Sequence, residues 1–391
     1  MKILFFSYYF PPDIGAGSFR ADSLINHLLQ KNCSVTLICA QPNRYKNIKK
    51  KASSEIEIRG NLTIKRVPAP IFFQNLFGQA LVFPLFIFRA LLISRNEKPS
   101  LVIGTSSRLG TAFIAAISSM FHKADLVLDI RDIIIETISY SKIFKPLKKL
   151  IIFFLFLIEK LSVSKSSMLN LVSPAFNEYY INKYKYPINQ IFNFQNGIDE
   201  SFVFSQNQHL NFDHLSKTVL YAGNIGFGQA LSSFLPEICK KLEKEFCFKI
   251  IGDGSDKSAL VDRCSRLVLK NINFYEPVTR DNLLEHYRDA DILFVNIDCN
   301  PAFARVIPSK LFEYLATGKP VVAGLHGFSA QYFNNIPGLY IFDSSDVTQA
   351  TKAILHAKLN FYDRSNFIKK NIRENIAKDF ASTIKSSVKT A

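Results

Sequence analysis

Cysteine is scarce and unpatterned in this chain of 391 residues. The six (Cys33, Cys39, Cys239, Cys247, Cys264 and Cys299) form no CxxC pair, and no histidine stands at zinc-finger spacing from them. That excludes a disulfide framework and a structural zinc site, and their apolar surroundings suit reduced core residues of a cytosolic protein. No repeat period runs through the chain, so a solenoid is excluded. An apolar share of 48% excludes a disordered chain. The N-terminus offers Lys2 and a short apolar stretch ending at Pro11-Pro12, without the length or cleavage site of a signal peptide. A cytoplasmic location is expected.

Long hydrophobic runs are also missing. Residues 71–88 carry no charge, but Gln74, Asn75, Gly78, Gln79 and Pro84 interrupt them, and a plain span is disfavoured. Residues 150–158 are nine apolar positions flanked by Lys148-Lys149 and Glu159-Lys160, too few to cross a bilayer. Sheet-packing helices and interfacial insertion stay open for both. Acidic residues are few as well: 32 Asp+Glu stand against 48 Lys+Arg, for a formal charge of +16. Residues 1–200 carry 25 Lys/Arg and 13 Asp/Glu (+12), and residues 201–391 carry 23 and 19 (+4). A basic balance of this size fits nucleic acid, an anionic membrane or a phosphorylated substrate, met mainly by the first half.

The length suggests two domains, each able to bury a core. Residues 2–7 read as a buried strand, 8–17 as a loop, 18–30 as a helix and 34–40 as a second strand. Further strands are expected at 62–67, 101–104, 126–130 and 168–172. The pattern restarts after the polar stretch 196–217, with strands at 218–222, 248–251, 292–297 and 321–323 and helices at 231–243, 255–269 and 309–317. Alternating strands and helices imply α/β folding around parallel, doubly wound sheets, hence two Rossmann-like halves joined near residue 200.

Several strand ends carry chemistry. The loop around Gly15 and Gly17 leads into a helix with Arg20 on its first turn. A nicotinamide cofactor is disfavoured, because Arg20 replaces the third glycine and Ala40-Gln41 replaces the acid ending the second strand. An anion or substrate loop and a plain solvent loop both stay open. Asp129, Arg131 and Asp132 end another predicted strand, where α/β sheets bind ligands; internal Arg–Asp pairing is the alternative. In the second half, Tyr221 to Gly228 (YAGNIGFG, with Asn224 and Gly226) and Gly252-Asp253-Gly254 repeat a strand–glycine–helix pattern suited to a phosphate. The strongest stretch is PSKLFEYLATGKPVV from Pro308. Ser309 is the expected N-cap, and Lys310 and Glu313 share one helical face. A cation at a helix start suits a diphosphate, and a carboxylate one turn later can accept both hydroxyls of a ribose. Asp289-Ala290-Asp291 resembles a metal-binding DxD, but its apolar strand follows instead of preceding it, so the triplet is expected to end a helix.

Together, FFSYYFPPDIGAGSFR, DIRD, QNGID, LYAGNIG, IIGDG, ADILFV and PSKLFEYLATGKPVVAG resemble, in order, the motifs of GT-B glycosyltransferases of retaining family 4. The nearest likeness is to bacterial O-antigen and capsule transferases, including fucosaminyltransferase-like members. The resemblance implies two Rossmann-like domains facing across a cleft: residues 1–200 bind acceptor, 201–370 bind nucleotide-sugar, and 371–391 form a helix packing back on the first domain. It implies a retaining, metal-independent front-face displacement in which a donor phosphate oxygen helps deprotonate the acceptor, with no bound cofactor or metal. The donor would be UDP-linked, an N-acetylated amino sugar, and the acceptor a lipid-linked glycan at an anionic inner membrane face. Glu313 matches the second Glu of the family's E-x7-E motif, the ribose ligand; the first is replaced by Arg305. The family's pyrophosphate-holding Arg and Lys after the first strand of the second domain are absent, which gives that duty to Lys310 and Arg305. Asp129, Arg131 and Asp132 are expected acceptor or sugar contacts, and Gly15 and Gly17 match the first-domain glycine loop. Two basic clusters, at 44–51 and at Lys142, Lys145, Lys148 and Lys149, are expected to meet lipid. A GT-B sugar-nucleotide 2-epimerase, and a non-catalytic nucleic-acid-binding protein suggested by charge alone, are the competing readings.

Overall fold

A computed structural model describes residues 1–42, 55–68, 76–106, 108–141, 143–205 and 216–387, with the backbone alone over 76–82. The chain divides into two compact units, Met1–Asn196 with Arg373–Ala391, and Gly197–Ile372. The basic loop 44–51, Lys142 and residues 71–75 of the first uncharged segment lie outside the described residues.

The first unit is built on β1 (Lys2–Phe6), β2 (Ser34–Ala40), β3 (Ile56–Arg59), β4 (Leu62–Val67), β5 (Leu101–Ser106), β6 (Asp125–Ile130), β7 (Met168–Leu171) and β8 (Ile191–Phe192), in the order β3-β4-β2-β1-β5-β6-β7-β8. All pairings are parallel except β3 with β4, an antiparallel edge that the sequence pattern did not suggest. Central strands such as β5 are buried throughout, because helices cover both faces. These helices include α1 (Ala16–Gln30), α2 (Leu76–Ser94), α3 (Leu109–His122), α4 (Ile134–Ser139), α5 (Lys145–Lys165) and α6 (Asn177–Tyr184). The last helix, Arg373–Ser387, returns to α1 and adds Phe380, Ala381 and Ile384 to this unit's core.

The second unit contains β9 (Lys217–Ala222), β10 (Phe246–Ile251), β11 (Ile272–Tyr275), β12 (Ile292–Asn296), β13 (Val321–Leu325) and β14 (Leu339–Asp343), in the order β11-β10-β9-β12-β13-β14, all parallel. The strand order reverses between β9 and β12, which opens a crevice at their carboxyl ends. Among its helices are α7 (Leu231–Lys241), α8 (Lys257–Arg266), α9 (Arg280–Asp289) and α10 (Ser309–Ala316). One apolar cluster lies on each face of this sheet. The Asp-Ala-Asp triplet does close a helix: α9 ends at Asp289, and Asp291 is buried, accepting from the Thr218 amide at 2.6 Å. Strands β11 and β14 escaped the sequence pattern because each is an edge strand that alternates or exposes its residues.

Cys33, Cys39, Cys239 and Cys264 are buried and reduced, but Cys247 is half-buried and Cys299 exposed, so two of the six are not core residues. Among the described residues, no helix is long and apolar enough to cross a membrane.

A buried ion pair organises the first unit. Asp129 in β6 is fully buried, and both its oxygens are used. Arg20 Nε and Nη2 donate to Oδ2 and Oδ1 at 2.8 and 2.9 Å, Thr105 Oγ1 to Oδ2 at 2.9 Å, and Asn170 Nδ2 to Oδ1 at 2.7 Å. Arg20 also donates to the carbonyls of Phe194 and Gln195 at 2.8 and 2.6 Å. Burial alone would raise the Asp129 carboxyl, but the Arg20 charge and these donors hold it below the ordinary carboxylate value. Such a lowered group contributes stability above its unfolded value and loses that contribution as pH falls through the folded one. Replacing Arg20 by Leu strands the buried carboxylate, and we expect a loss of about 3–5 kcal/mol in urea unfolding followed by circular dichroism. Asp129→Asn should flatten the acid limb of the stability–pH curve; an unchanged limb would count against the pair as its origin.

Candidate functional site

The crevice of the second unit gathers four glycine-bearing or polar segments. Beyond β9 the chain turns through Gly223 to Gly228, and beyond β10 through Gly252 to Gly254. The two turns are sewn together by the Gly223 amide to the Ile251 carbonyl at 2.9 Å and the Ile225 amide to the Asp253 carbonyl at 3.0 Å. Gly252 sits at φ 144°, and a Cβ there would overlap the Gly223 carbonyl. Glycine at 252 is thus required by close backbone approach, which is how such loops bring amides to a ligand. Gly254 is equally crowded, by the Ile225 carbonyl. Gly226 is buried and Asn224 exposed; Gln229 Oε1 accepts from the Asn224 side chain at 3.0 Å and from the Gly226 amide at 3.2 Å. Asn296 at the end of β12 donates to the Gln229 carbonyl at 2.9 Å, which fixes the far side of the loop.

Helix α10 enters this crevice. The sequence pattern made Ser309 its N-cap; instead Pro308 caps it and Ser309 is the first helical residue, half-buried, because the fixed φ of proline already presets the helix entry. Lys310 and Glu313 share one face, with Nζ to Oε2 at 2.7 Å. The buried Tyr287 of α9 joins them: its hydroxyl lies 3.5 Å from Glu313 Oε2 and 3.2 Å from Lys310 Nζ. Burial first, then Tyr314 and Glu313, raise the Tyr287 phenol well above its ordinary value, so it stays a neutral donor. The helix itself is clamped from inside. The Tyr314 hydroxyl accepts from the Ala222 amide at 2.8 Å and lies 3.2 Å from the Ala222 carbonyl, which ties α10 to the end of β9. At its other end, the buried Arg364 donates to the carbonyls of Leu315 and Lys319, each at 3.0 Å.

Arg305 is half-buried in the turn between Pro301–Phe303 and α10. Next to it, the Ala304 carbonyl accepts from the Phe328 amide at 2.8 Å, seating this turn on the short helix Gly327–Tyr332 after β13. The structure therefore brings Lys310 and Glu313 together beside Gly223, where the Lys310 stem lies within van der Waals reach of a Cβ built on that glycine. Tyr287, Tyr314, Gln229 and Asn296 complete the arrangement. Tyr287 gives no local signal, since it precedes the Asp-Ala-Asp triplet in an ordinary amphipathic helix; Tyr314 adjoins Glu313 and could have been found from that position.

In the first unit the glycine loop and the end of β6 meet. Gly15 caps α1 in extended backbone, and a side chain at Gly17 would overlap the Arg131 guanidinium. Arg131 is half-buried and Asp132 exposed at the same strand end. Asp129 does not belong with them. It was expected to touch acceptor or sugar, but four protein donors already occupy its oxygens in the interior. Arg20, on the second turn of α1, is likewise spent on Asp129 and two carbonyls, so it is no anion ligand. Among the described residues, no cluster of three or more His, Cys, Asp or Glu could hold a metal ion.

Residues 216–358 match the family described as Glycosyl transferases group 1. The putative colanic acid biosynthesis glycosyl transferase WcaI of Escherichia coli (strain K12) is 26% identical over 203 residues, 50% of this chain and 49% of WcaI, so the match spans about half of that relative. Among solved structures, sucrose-phosphate synthase from Thermosynechococcus elongatus superposes with a TM-score of 0.76 at 13% identity over 98% of both chains. HepE from Anabaena, in complex with UDP and glucose, gives a TM-score of 0.69 at 14% identity over 99% of this chain and 100% of its own. At these identities the structural likeness speaks for the fold.

Gly252→Ala should force the Gly223 loop away from the β10 end. We expect a loss of about 1–3 kcal/mol in thermal unfolding, whereas Gly60→Ala, at an open turn with nothing within 4 Å, should cost less.

Proposed function

We propose that this chain, a GT-B glycosyltransferase of the family 4 type, moves a sugar from a UDP-linked donor to a lipid-linked glycan during bacterial surface polysaccharide synthesis. The observation that carries the donor half is the Lys310–Glu313 pair on the first turns of α10, beside the backbone amides of the β9 and β10 loops. A nucleoside diphosphate needs a cation and close backbone approach for its phosphates, and a carboxylate for the ribose diol. Lys310 and the start of α10 at Ser309, with the glycine turns at Gly226, Gly252 and Gly254 that let backbone come close, supply the first; Glu313 supplies the second. Arg305, where relatives of this type carry a carboxylate, adds a second cation toward the phosphates.

In this reading the second unit binds donor and the first binds acceptor, with Arg131, Asp132 and the Gly15–Gly17 loop as the acceptor contacts. HepE holds UDP and glucose in its crystals, which favours uracil as the base here too. The WcaI name points to surface polysaccharide, and an N-acetylated amino sugar is our choice of donor sugar. Charge separation at the leaving diphosphate is met by fixed dipoles and cations without a metal. An acceptor built on lipid places the enzyme at the inner face of the cell membrane, as a peripheral protein.

A panel of UDP- and GDP-sugars screened by thermal shift should single out a UDP-sugar. Glu313→Ala removes a charged acceptor contributing about 1.5–3 kcal/mol, so donor affinity by calorimetry should fall about tenfold or more. Unchanged affinity would remove the site assignment, and interconversion of the donor without any acceptor would replace transfer by epimerisation.

A further inference from the structure

Helix α5 carries a feature that nucleotide-sugar chemistry does not use. Phe144, Leu147, Leu150, Phe153, Phe154 and Leu157 are between 44% and 75% exposed, and all belong to α5 or its N-cap. Their spacing of three and four residues makes them one stripe, about 20 Å long at 1.5 Å per residue. A stripe with this many large apolar groups in water is uncommon on a soluble surface unless something covers it.

The exposed charges of α5 are of one sign. Lys145, Lys149, Lys160 and Lys165 are exposed, and none of them pairs with a carboxylate among the described residues. Lys148 is used internally, donating to the Ser139 and Ser141 carbonyls at 3.0 Å each, at the end of α4. The helix has a single acid, Glu159, which is 2% exposed and turned inward. There it accepts from the hydroxyls of Tyr179 at 2.7 Å, of Tyr180 at 3.4 Å and of Tyr184, with Lys183 Nζ at 3.5 Å. That cage ties α5 to α6 and removes the helix's single acid from the outer face, so the exposed side of α5 keeps cations and large apolar groups and no carboxylate.

We infer that α5 is an interfacial docking helix for an anionic lipid surface, lying in the plane of the membrane with Phe153 and Phe154 among the acyl chains and its lysines on the headgroups. Nine apolar residues cannot cross the hydrocarbon, whereas a helix lying flat needs only its stripe immersed by about 5–10 Å. A second copy of this chain is the less favoured cover, because it would set unpaired lysines against unpaired lysines. The inference rests on the lipid-linked acceptor reading only for its purpose; the binding itself requires neither donor nor acceptor.

Vesicle flotation of the full chain tests it, with pure phosphatidylcholine against vesicles containing phosphatidylglycerol. The protein should float with the anionic vesicles and much less with the neutral ones. Phe153→Ser with Phe154→Ser, and separately Lys145→Glu with Lys149→Glu and Lys160→Glu, should each reduce the bound fraction about tenfold or more. Retained UDP-sugar binding would show that these variants fold. Because the chain lacks tryptophan, Phe153→Trp introduces a single reporter whose emission should shift to the blue on adding anionic vesicles. An absent shift, or flotation unaffected by either set of substitutions, overturns the inference. A dimer that Phe153→Ser dissolves, without vesicle binding, assigns the stripe to self-association and overturns it too. Failure of donor binding alone would sink the donor-site assignment and leave the docking helix standing.

Discussion

The bidentate Arg20–Asp129 pair is the interaction on which the first unit is organised. A carboxylate with no exposure is tolerable only when every lone pair is met, and here Arg20 of α1, Thr105 of β5 and Asn170 of β7 supply the four donor groups to Asp129 of β6. The same guanidinium reaches the Phe194 and Gln195 carbonyls and stacks 5.7 Å from the Phe380 ring. Phe380 comes from the last helix, so residues far apart in sequence are gathered around one cation. At the neighbouring strand end Arg131 is half-buried against Gly17, and Asp132 is exposed.

The second unit solves a related problem differently. In the proposed donor site the crevice offers a cation, a carboxylate and two glycine turns, and the support comes from behind. Tyr314 holds α10 to the β9 end, Arg364 satisfies the carbonyls at and beyond the end of α10, and Asn296 anchors the Gly226 loop. Each is a buried polar group whose loss would leave unsatisfied backbone partners. Burial lowers the Lys319 ammonium to about 8, although Asp291 and Asp289 act the other way and its Nζ donates to the Arg288 carbonyl.

The excess of positive charge now separates into parts with different physics. Some cations are internal fasteners: Arg20, Arg364 and Lys148 are consumed by carbonyls or a carboxylate. Lys310 belongs to the crevice, held by Glu313 and Tyr287. Lys145, Lys149, Lys160 and Lys165 of α5 form a third group, exposed on the helix that carries the aromatic stripe. The formal charge of the chain cannot distinguish these, because a sum over residues contains no information about burial.

Sequence alone was sufficient for the two Rossmann-like halves, since buried parallel strands are continuous apolar runs and their glycine-bearing ends are local. It was also sufficient for the Lys310–Glu313 pair, because a spacing of three on a helix guarantees a common face. Edge strands such as β3 and β14 were illegible, as half-exposed strands lack that signature. The roles of Asp129 and Arg20 were decided only by tertiary structure. In sequence, DIRD reads as three polar groups at a strand end, and whether a carboxylate faces solvent or a guanidinium arriving from a position 109 residues away depends on packing. Tyr287, which completes the crevice from another helix, was hidden for the same reason: its partners are distant in sequence, and only the fold brings them within hydrogen-bonding reach.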